Sequence, residues 1–278
     1  MNKFVDLSVS NYGTTRQINY QLVVLPWGAT EPHNYHLPYL TDCILSHDIA
    51  VDAAQRLLNK HGLHVMVMPP VGMGSQNPGQ RELPFCVHTR YETQKAILTD
   101  IVDSLYHQGF RKLVIVNGHG GNTFKSMIRD LLTSYPDFLI AASDWFKMRN
   151  AKDFFDNPGD HADEIETSVM MYYHPELVNL ADAGEGKSNA FAIDALQEGR
   201  VWMPCKRVVY GCRAIGERCR KIRASVRQHS LRPRRENVSP MPYAMPTWTS
   251  LPTLLLLKTK TTSILRELSE QLASHLVW

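Results

Sequence analysis

Residues 111–145 read RKLVIVNGHGGNTFKSMIRDLLTSYPDFLIAASDW, and the order of elements within them indicates the fold class. The apolar run at 111–118 predicts a buried strand that ends at Asn117-Gly118. Residues 122–135 predict a helix, and the apolar run at 137–145 predicts a second strand. Two buried strands joined by one helix are typical of a parallel sheet covered by helices.

The same alternation extends over most of the first two hundred residues. Strands are predicted at 21–28 and 63–70, and helices at 47–60, 92–108 and 164–175. We therefore expect an α/β fold with a mainly parallel central sheet and helices on both of its faces. In such sheets the functional residues gather at the carboxyl ends of the strands.

The composition is that of a folded chain with two unlike parts. Hydrophobic residues at 44% and charged residues at 21% exclude a disordered chain, a coiled coil and a collagen-like repeat. No run approaches the roughly 18 apolar residues of a membrane helix, and the N-terminus lacks the apolar core of a secretory signal. Five cysteines are too few and odd in number for a disulfide framework, so we expect a reducing cytoplasm.

The charge is divided unevenly along the chain. Residues 1–205 carry 16 Lys and Arg against 23 Asp and Glu, whereas residues 206–278 carry 14 against 4. We therefore predict one domain at 1–204 and interpret 205–278 as a separate basic segment.

A first cluster of reactive side chains follows the strand predicted at 21–28. Within twelve residues it offers Glu31, His33, His36 and Asp42. These are ligand types that Zn²⁺, Mn²⁺ and Fe²⁺ accept. The alternative interpretation is a polar loop with a few surface histidines.

A second cluster, NGHGGN (117–122), lies between a predicted strand and a predicted helix. It is not a phosphate-binding Walker loop, because no Gly-Lys-Ser/Thr follows. His119 lies between glycines that allow a close approach, which favours a ligand role. The alternative is a tight turn in which Asn122 caps the next helix, and that role can coexist with ligation.

A third cluster, DHADEIETS (160–168), begins the helix predicted at 164–175. Glu164 and Glu166 are two residues apart and therefore point to different faces of that helix. One of them could reach inward while the other is solvated or caps the helix. The alternative is that these acids only complement the helix dipole.

Together the clusters hold four histidines, three aspartates and three glutamates. Acid-rich sets with a shared aspartate suit two metal ions about 3.5–4 Å apart, and the chemistry that follows from such a pair is hydrolysis. Nucleophilic alternatives are weaker, because there is no G-x-S-x-G elbow and nothing marks Cys86 as activated.

The three stretches LPWGATEPHNYHLPYLTD (25–42), NGHGGN (117–122) and HADEIETS (161–168) together resemble the creatininase (creatinine amidohydrolase) family. They occur in that family's order and at about its spacings. The resemblance implies a three-layer α/β/α sandwich and a binuclear metal centre, usually with zinc or manganese. It also implies a homo-oligomer, often a hexamer.

The resemblance also implies roles for individual residues. By position, Glu31, His33, Asp42 and His119 match metal ligands of the family, with Asp42 as the bridge. Creatininase itself has a further glutamate at the position of Gly121. Relatives with the NGHGGN form are expected to use the glutamate of the E-T-S segment instead, here Glu166.

The proton-transfer residues are also implied by position. Asp160 and His161 match a Glu-His pair that creatininase uses for proton transfer, although Asp160 is one methylene shorter. Glu164, in the same segment, is a third catalytic candidate. Asp163 stands where relatives usually have glycine.

The family pattern fails after about residue 204. The chain becomes arginine-rich over 206–235 and then proline-rich, and only 261–276 predicts an amphipathic helix. A basic arm for nucleic acid is disfavoured, because aromatic residues do not interleave with the arginines. An extension or oligomer arm and a reading-frame shift near residue 205 are the other interpretations.

These observations predict a metal-dependent amidohydrolase that cleaves a C–N bond of a small cyclic amide or amidine with a metal-activated water. We expect a small-molecule substrate, no membrane and two divalent ions, with Fe²⁺ as an alternative to Zn²⁺ and Mn²⁺. The other predictions are a non-catalytic metal-binding oligomeric scaffold and a hydrolase of a sugar-derived cyclic ketone or lactone.

Overall fold

The computed structural model describes residues 2–77, 80, 83–156, 159, 161–184, 266, 270 and 271. Within these ranges one sheet is formed by β1 (Leu22–Trp27), β2 (Val65–Val67), β3 (Lys112–Asn117) and β4 (Leu139–Asp144). The strand order is β2-β1-β3-β4, and each neighbouring pair is parallel. The predicted parallel sheet is therefore confirmed.

The helices alternate with these strands as the sequence predicts. In the described part of the chain they are α1 (Tyr12–Thr15), α2 (Thr41–His61), α3 (Tyr91–His107), α4 (Lys125–Ser134) and α5 (Glu164–Tyr173). Short 3-10 turns lie between several of them.

Each face of the sheet packs against its own helical layer. Val24 and Val114 lie in the core shared with α2 and α5, whereas Leu25 and Ile115 lie in the core shared with α3 and α4. Because successive strand residues point to opposite faces, an uninterrupted apolar run fills both cores at once. The three-layer α/β/α arrangement is confirmed.

The strand order places β1 beside β3, and the chain leaves these two strands toward opposite faces. It runs from β1 to α2 on one face and from β3 to α4 on the other. Such a reversal opens a crevice at the carboxyl ends of the two strands. Trp27 and Asn117 are paired there, at the last residue of each strand.

One predicted helix is longer than expected. The helix predicted at 47–60 begins at Thr41, because the buried side chain of Leu45 continues the apolar stripe of Ile49 and Ala53. Asp42 consequently lies in the first turn of α2 and not in a loop.

One predicted strand is shorter than expected. The strand predicted at 63–70 is reduced to β2, since Pro69 and Pro70 have no N–H to donate to a neighbouring strand. Of the helix predicted at 261–276, Arg266, Glu270 and Gln271 are described and are helical. Residues 185–265 lie outside the described residues, as do the others beyond them. No helix in the described ranges has the length and apolar character needed to cross a bilayer.

Candidate metal centre

Two glycines bring the first turn of α2 against the ends of β1 and β3. A Cβ on Gly118 would lie 2.3 Å from the carbonyl oxygen of Asp42, and a Cβ on Gly28 would lie 2.6 Å from the amide nitrogen of Cys43. Only a residue without a side chain allows so close an approach. The carboxylate of Asp42 is thereby buried in the crevice, with 2% of the residue exposed.

The two carboxylate oxygens of Asp42 face different histidines. Its Oδ1 is 2.9 Å from Nε2 of His33, and its Oδ2 is 3.2 Å from Nδ1 of His119. Nδ1 of His119 is also 2.7 Å from Oε1 of Glu31. One buried aspartate thus lies between two imidazoles that come from different loops.

His33, His119 and a third histidine, His161, each have one ring nitrogen that faces the carboxylates. The second ring nitrogen of each donates to a backbone carbonyl. His33 Nδ1 donates to Glu31 O at 3.0 Å, His119 Nε2 donates to Ser75 O at 2.8 Å, and His161 Nε2 donates to Pro32 O at 2.8 Å. Because a carbonyl only accepts, the nitrogen that faces the carboxylates carries a lone pair when the ring is neutral.

Lone pairs of nitrogen and oxygen therefore converge on the same small volume. Among the described residues, Glu31 Oε1 and Asp42 Oδ2 are buried oxygens that accept no hydrogen bond. Buried polar atoms are nearly always satisfied, so these two call for a ligand of positive charge. Imidazole nitrogen and carboxylate oxygen are the donors that zinc and manganese accept, so a divalent cation fits this site.

The pKa shifts of His33, His119 and Asp42 also indicate that the site favours positive charge. Burial lowers the pKa of His33, but the charge of Asp42 and the hydrogen bond to it raise that pKa to about 9. Burial also lowers the pKa of His119, and the carboxylates of Asp42 and Glu31 beside its ring raise that pKa to about 11. Burial raises the pKa of Asp42, but the charge of His33, its hydrogen bond to Asp42 and the charge of His119 hold that pKa below its ordinary value. In each case the carboxylates favour a cation between them.

The described residues form three groups of potential ligands, and within each group the ligand atoms lie within 4.8 Å of one another. Their members are Glu31, Asp42 and His119; His33, Asp42 and Glu166; and Glu31, His33 and His161. The first two groups share Asp42. The carboxylate of Asp42 therefore lies within reach of both sets of ligand atoms.

Glu166 reaches the crevice from the first turn of α5. Asp163 caps that helix by accepting from the amides of Ile165 and Glu166, while Oε2 of Glu166 accepts from the amide of Ala162 at 2.6 Å. Burial raises the pKa of Glu166 to about 8, and the charge of Asp42 adds to that effect. Glu164 begins the same helix and belongs to none of the three groups.

Of the two residues expected to transfer protons, His161 lies at the edge of the crevice, beside His33 and Glu31. The ring of His161 lies 4.4 Å from that of His33, with His161 Nδ1 3.9 Å from Glu31 Oε1 and 36% of its side chain exposed. Burial and the charge of His33 lower the pKa of His161. Asp160 lies outside the described residues. His36 contacts Thr167 Oγ1 at 2.8 Å through Nε2 and belongs to no ligand group.

The alternative in which Asn122 caps the next helix is wrong. Helix α4 begins at Lys125, and its preceding residue Phe124 provides no side-chain cap. Asn122 instead donates to Gly28 O at 3.1 Å and to Asn117 Oδ1 at 3.0 Å. Asn122 thereby joins the NGHGGN loop to Gly28, the residue that follows β1.

Sequence reasoning missed the loop that follows β2. Its residue Ser75 supplies the carbonyl that His119 contacts, and its residue Gln80 donates to Glu31 Oε2 at 2.7 Å. The available signal was position, because this loop also follows the carboxyl end of a parallel strand. Serine and glutamine are not typical metal ligands, so their presence in the sequence did not indicate a role at the site.

Comparison with known proteins identifies the fold family. The sequence profile of the creatininase family, described as creatinine amidohydrolase, matches residues 10–217. The chain belongs to the creatininase family. A crystal structure from Bacteroides fragilis, provisionally described as a creatinine amidohydrolase, is 48% identical and has a TM-score of 0.76. That match covers 99% of this creatininase-family chain and 95% of the other. The resemblance inferred from the three motifs is confirmed.

Curated relatives of this creatininase-family chain differ in their activities. The 3-dehydro-scyllo-inosose hydrolase of Thermotoga maritima is 26% identical over 65% of this chain and 58% of its own length. The creatinine amidohydrolase of Pseudomonas putida is 24% identical over 57% of this chain and 66% of its own. The chain thus spans less than two thirds of either relative.

Solved creatininases in a zinc form and a manganese form share the fold. Both are 19% identical, with TM-scores of 0.65. The matches cover 99% and 98% of this chain and 97% and 96% of the others.

Proposed function

We propose that this protein is a divalent-metal-dependent hydrolase that cleaves a C–N bond of a small cyclic amide or amidine. The observation that carries the proposal is that two groups of ligand atoms share Asp42, whose two oxygens face different histidines. Acidic sets with a shared carboxylate suit a pair of divalent cations. Membership of the creatininase family supports the same reaction class.

The proposed ligands divide between the two ions. Glu31, Asp42 and His119 would hold one ion, and His33, Asp42 and Glu166 would hold the other. We propose Zn²⁺ or Mn²⁺ as the occupants, with Fe²⁺ as an alternative, because sets of imidazole and carboxylate suit all three.

Glu166 takes the place of the glutamate that creatininase has at the position of Gly121. A Cβ on Gly121 would lie 2.1 Å from the carbonyl oxygen of Ser75 and 2.5 Å from Nε2 of His119. The loop after β2 therefore leaves no room for a side chain from this position. Since Glu166 approaches from α5, it provides a carboxylate without crossing that loop.

Divalent ions held here would supply Lewis acidity and an activated water. The protein would contribute proton movement through His161, whose Nε2 is held by Pro32 O while Nδ1 faces Glu31. Asp160 precedes His161 and is proposed as its partner. Glu164 is the weakest member of the proposed catalytic set, because it belongs to no ligand group.

Metal content and turnover test this proposal directly. We expect about two ions per chain, and hydrolysis of at least one member of a panel of cyclic amides that a chelator abolishes and added metal restores. His119→Ala should lower the metal content and leave the far-UV circular dichroism unchanged. His107→Ala, at an exposed position on α3, is the matched control. Full metal retention in His119→Ala would remove His119 from the ligand set.

A second substrate class is favoured by the relative from Thermotoga maritima, a 3-dehydro-scyllo-inosose hydrolase. The panel should therefore include sugar-derived cyclic ketones and lactones. If the protein hydrolyses these compounds but none of the cyclic amides, the proposed substrate becomes a sugar-derived cyclic ketone or lactone. Bound metal with no turnover of either class would favour the non-catalytic scaffold.

We further propose a homo-oligomer, with a hexamer as the expected form, in a reducing cytoplasm. Cys43 is a buried free thiol, which is consistent with that compartment. The domain boundary near 204 and the reading-frame shift near 205 remain predictions. Translating the coding DNA in its other two frames tests the latter, and a lysine- and glutamate-rich segment is the expected product.

A further inference from the structure

We infer that Gln80 is a positioning residue of this centre, because its side-chain amide holds one oxygen of Glu31 and leaves the other directed at the ligand atoms. The inference rests on the proposed function, since it concerns the same ions. Gln80 lies in the loop after β2 and is 7% exposed. A buried amide so close to a carboxylate acts on that carboxylate's orientation.

The two oxygens of Glu31 have different neighbours. Oε2 accepts a hydrogen bond of 2.7 Å from Nε2 of Gln80. Oε1 lies 2.7 Å from Nδ1 of His119 and accepts no hydrogen bond from the part of the chain that is described. Because the amide of Gln80 uses one lone pair of Oε2, Oε1 is the oxygen of Glu31 with both lone pairs available for a cation.

The orientation of the Gln80 amide is set by a second contact. Its Oε1 accepts from the backbone amide of Asn77 at 3.2 Å, so its nitrogen end must face Glu31. The backbone of Gln80 is held as well, since its N–H donates to Asn77 O and its carbonyl accepts from the amide of Leu83, both at 2.9 Å. A donor fixed at its side chain and its backbone can hold the carboxylate in one rotamer.

The contact predicts that Gln80 acts on one of the two ions. Of the two groups that share Asp42, Glu31 belongs to the one with His119 and not to the one with His33 and Glu166. Loss of the amide frees Glu31 to rotate, and the ion that it ligates should bind more weakly. The other ion keeps all its ligands.

Gln80→Met is the first test, because methionine keeps an unbranched shape and removes the donor. Competition between Mn²⁺ and a chelator gives the apparent dissociation constants of both ions in the full-length protein. We expect one ion to bind about tenfold to a hundredfold more weakly, as losses of outer hydrogen-bond partners do, while the other changes by less than about threefold. The weakened ion should be the one that Glu31→Gln loses.

Gln80→Ser is the second variant and serves if Gln80→Met fails to fold. Serine leaves room for a water that can donate to Glu31 Oε2, so its loss of affinity should be smaller than that of methionine. Gln21→Met is the matched control, because Gln21 also accepts a backbone hydrogen bond, of 2.8 Å from His64, but does so at the opposite end of β1.

The outcomes separate this inference from the proposed function. If the wild type binds two ions and both Gln80 variants bind both unchanged, the inference is wrong and the proposed function stands. Equal weakening of both ions would show a general structural role and also overturn the inference. A wild type that binds no divalent ion would overturn both.

Discussion

Gly118→Ala should move the first turn of α2 and weaken both metal ions. The added Cβ would lie 2.3 Å from the carbonyl oxygen of Asp42, against an ordinary contact of 3.4 Å, so backbone must move by about 1 Å. The obstacle is a helix backbone and cannot rotate away, which places the cost at the upper end of about 1–3 kcal/mol for overpacking. For a chain of this size that corresponds to a fall in Tm of about 5–10 °C.

The effect on metal binding follows from the same displacement. A shift of about 1 Å exceeds the tolerance of roughly 0.5 Å within which a metal-site constellation works. Because Asp42 belongs to both ligand groups, both apparent dissociation constants should rise. Thermal melts with a chelator present and Mn²⁺ titrations without it measure the two effects separately.

Gly120→Ala is the matched control for Gly118→Ala. A Cβ on Gly120 would meet no atom within 4 Å, although the residue lies in the same loop. Its stability should stay within about 1 kcal/mol of wild type or rise slightly, since alanine restricts the unfolded chain. The reasoning is refuted if Gly118→Ala has the Tm of the wild type and the same apparent dissociation constants for both ions. In that case the close approach of α2 to this loop does not position Asp42.

Three further predictions concern charge. Asp42→Asn should abolish binding of both ions, whereas Glu166→Gln should abolish only one, and the stoichiometry measured by calorimetric titration separates these results. Burial lowers the pKa of His174, but its hydrogen bond with Asp48 and the charge of Asp48 raise it above the ordinary 6.5. This pair therefore contributes stability fully below that value and loses it as the pH rises through the raised pKa. In urea titrations, His174→Gln should lose more stability relative to wild type near pH 6 than near pH 9, and an equal loss at both values would contradict this pairing.

The elements of the fold could be predicted because each one has a local signature. The run KLVIV (112–116) is apolar without alternation, and such a run indicates a strand buried on both faces. The start of α2 could not be predicted in the same way. Thr41, Asp42 and Ser46 are polar yet buried, so the beginning of the helix resembles a loop in the sequence.

The candidate site was predictable only in part. His119 and Asp42 are conspicuous ligand types beside strand ends, and the structure brings them to 3.2 Å. Gln80 and the carbonyl of Ser75 have no such signature, since an amide or a carbonyl becomes important only through what lies next to it. Asp160 matched by position alone and lies outside the described residues, and Glu164 belongs to none of the ligand groups found among them.

The sequence by itself determined which segments are strands and helices and which loops carry the ligand types, because apolar periodicity and residue chemistry are local properties. Only the tertiary structure decided that β1 lies beside β3, that the loops after them meet across Gly28 and Gly118, and that Asp42 lies between two histidines. Strand order depends on packing between residues about ninety positions apart, such as Val24 and Val114. No local pattern encodes such a contact, so the convergence of the ligands is a property of the folded chain.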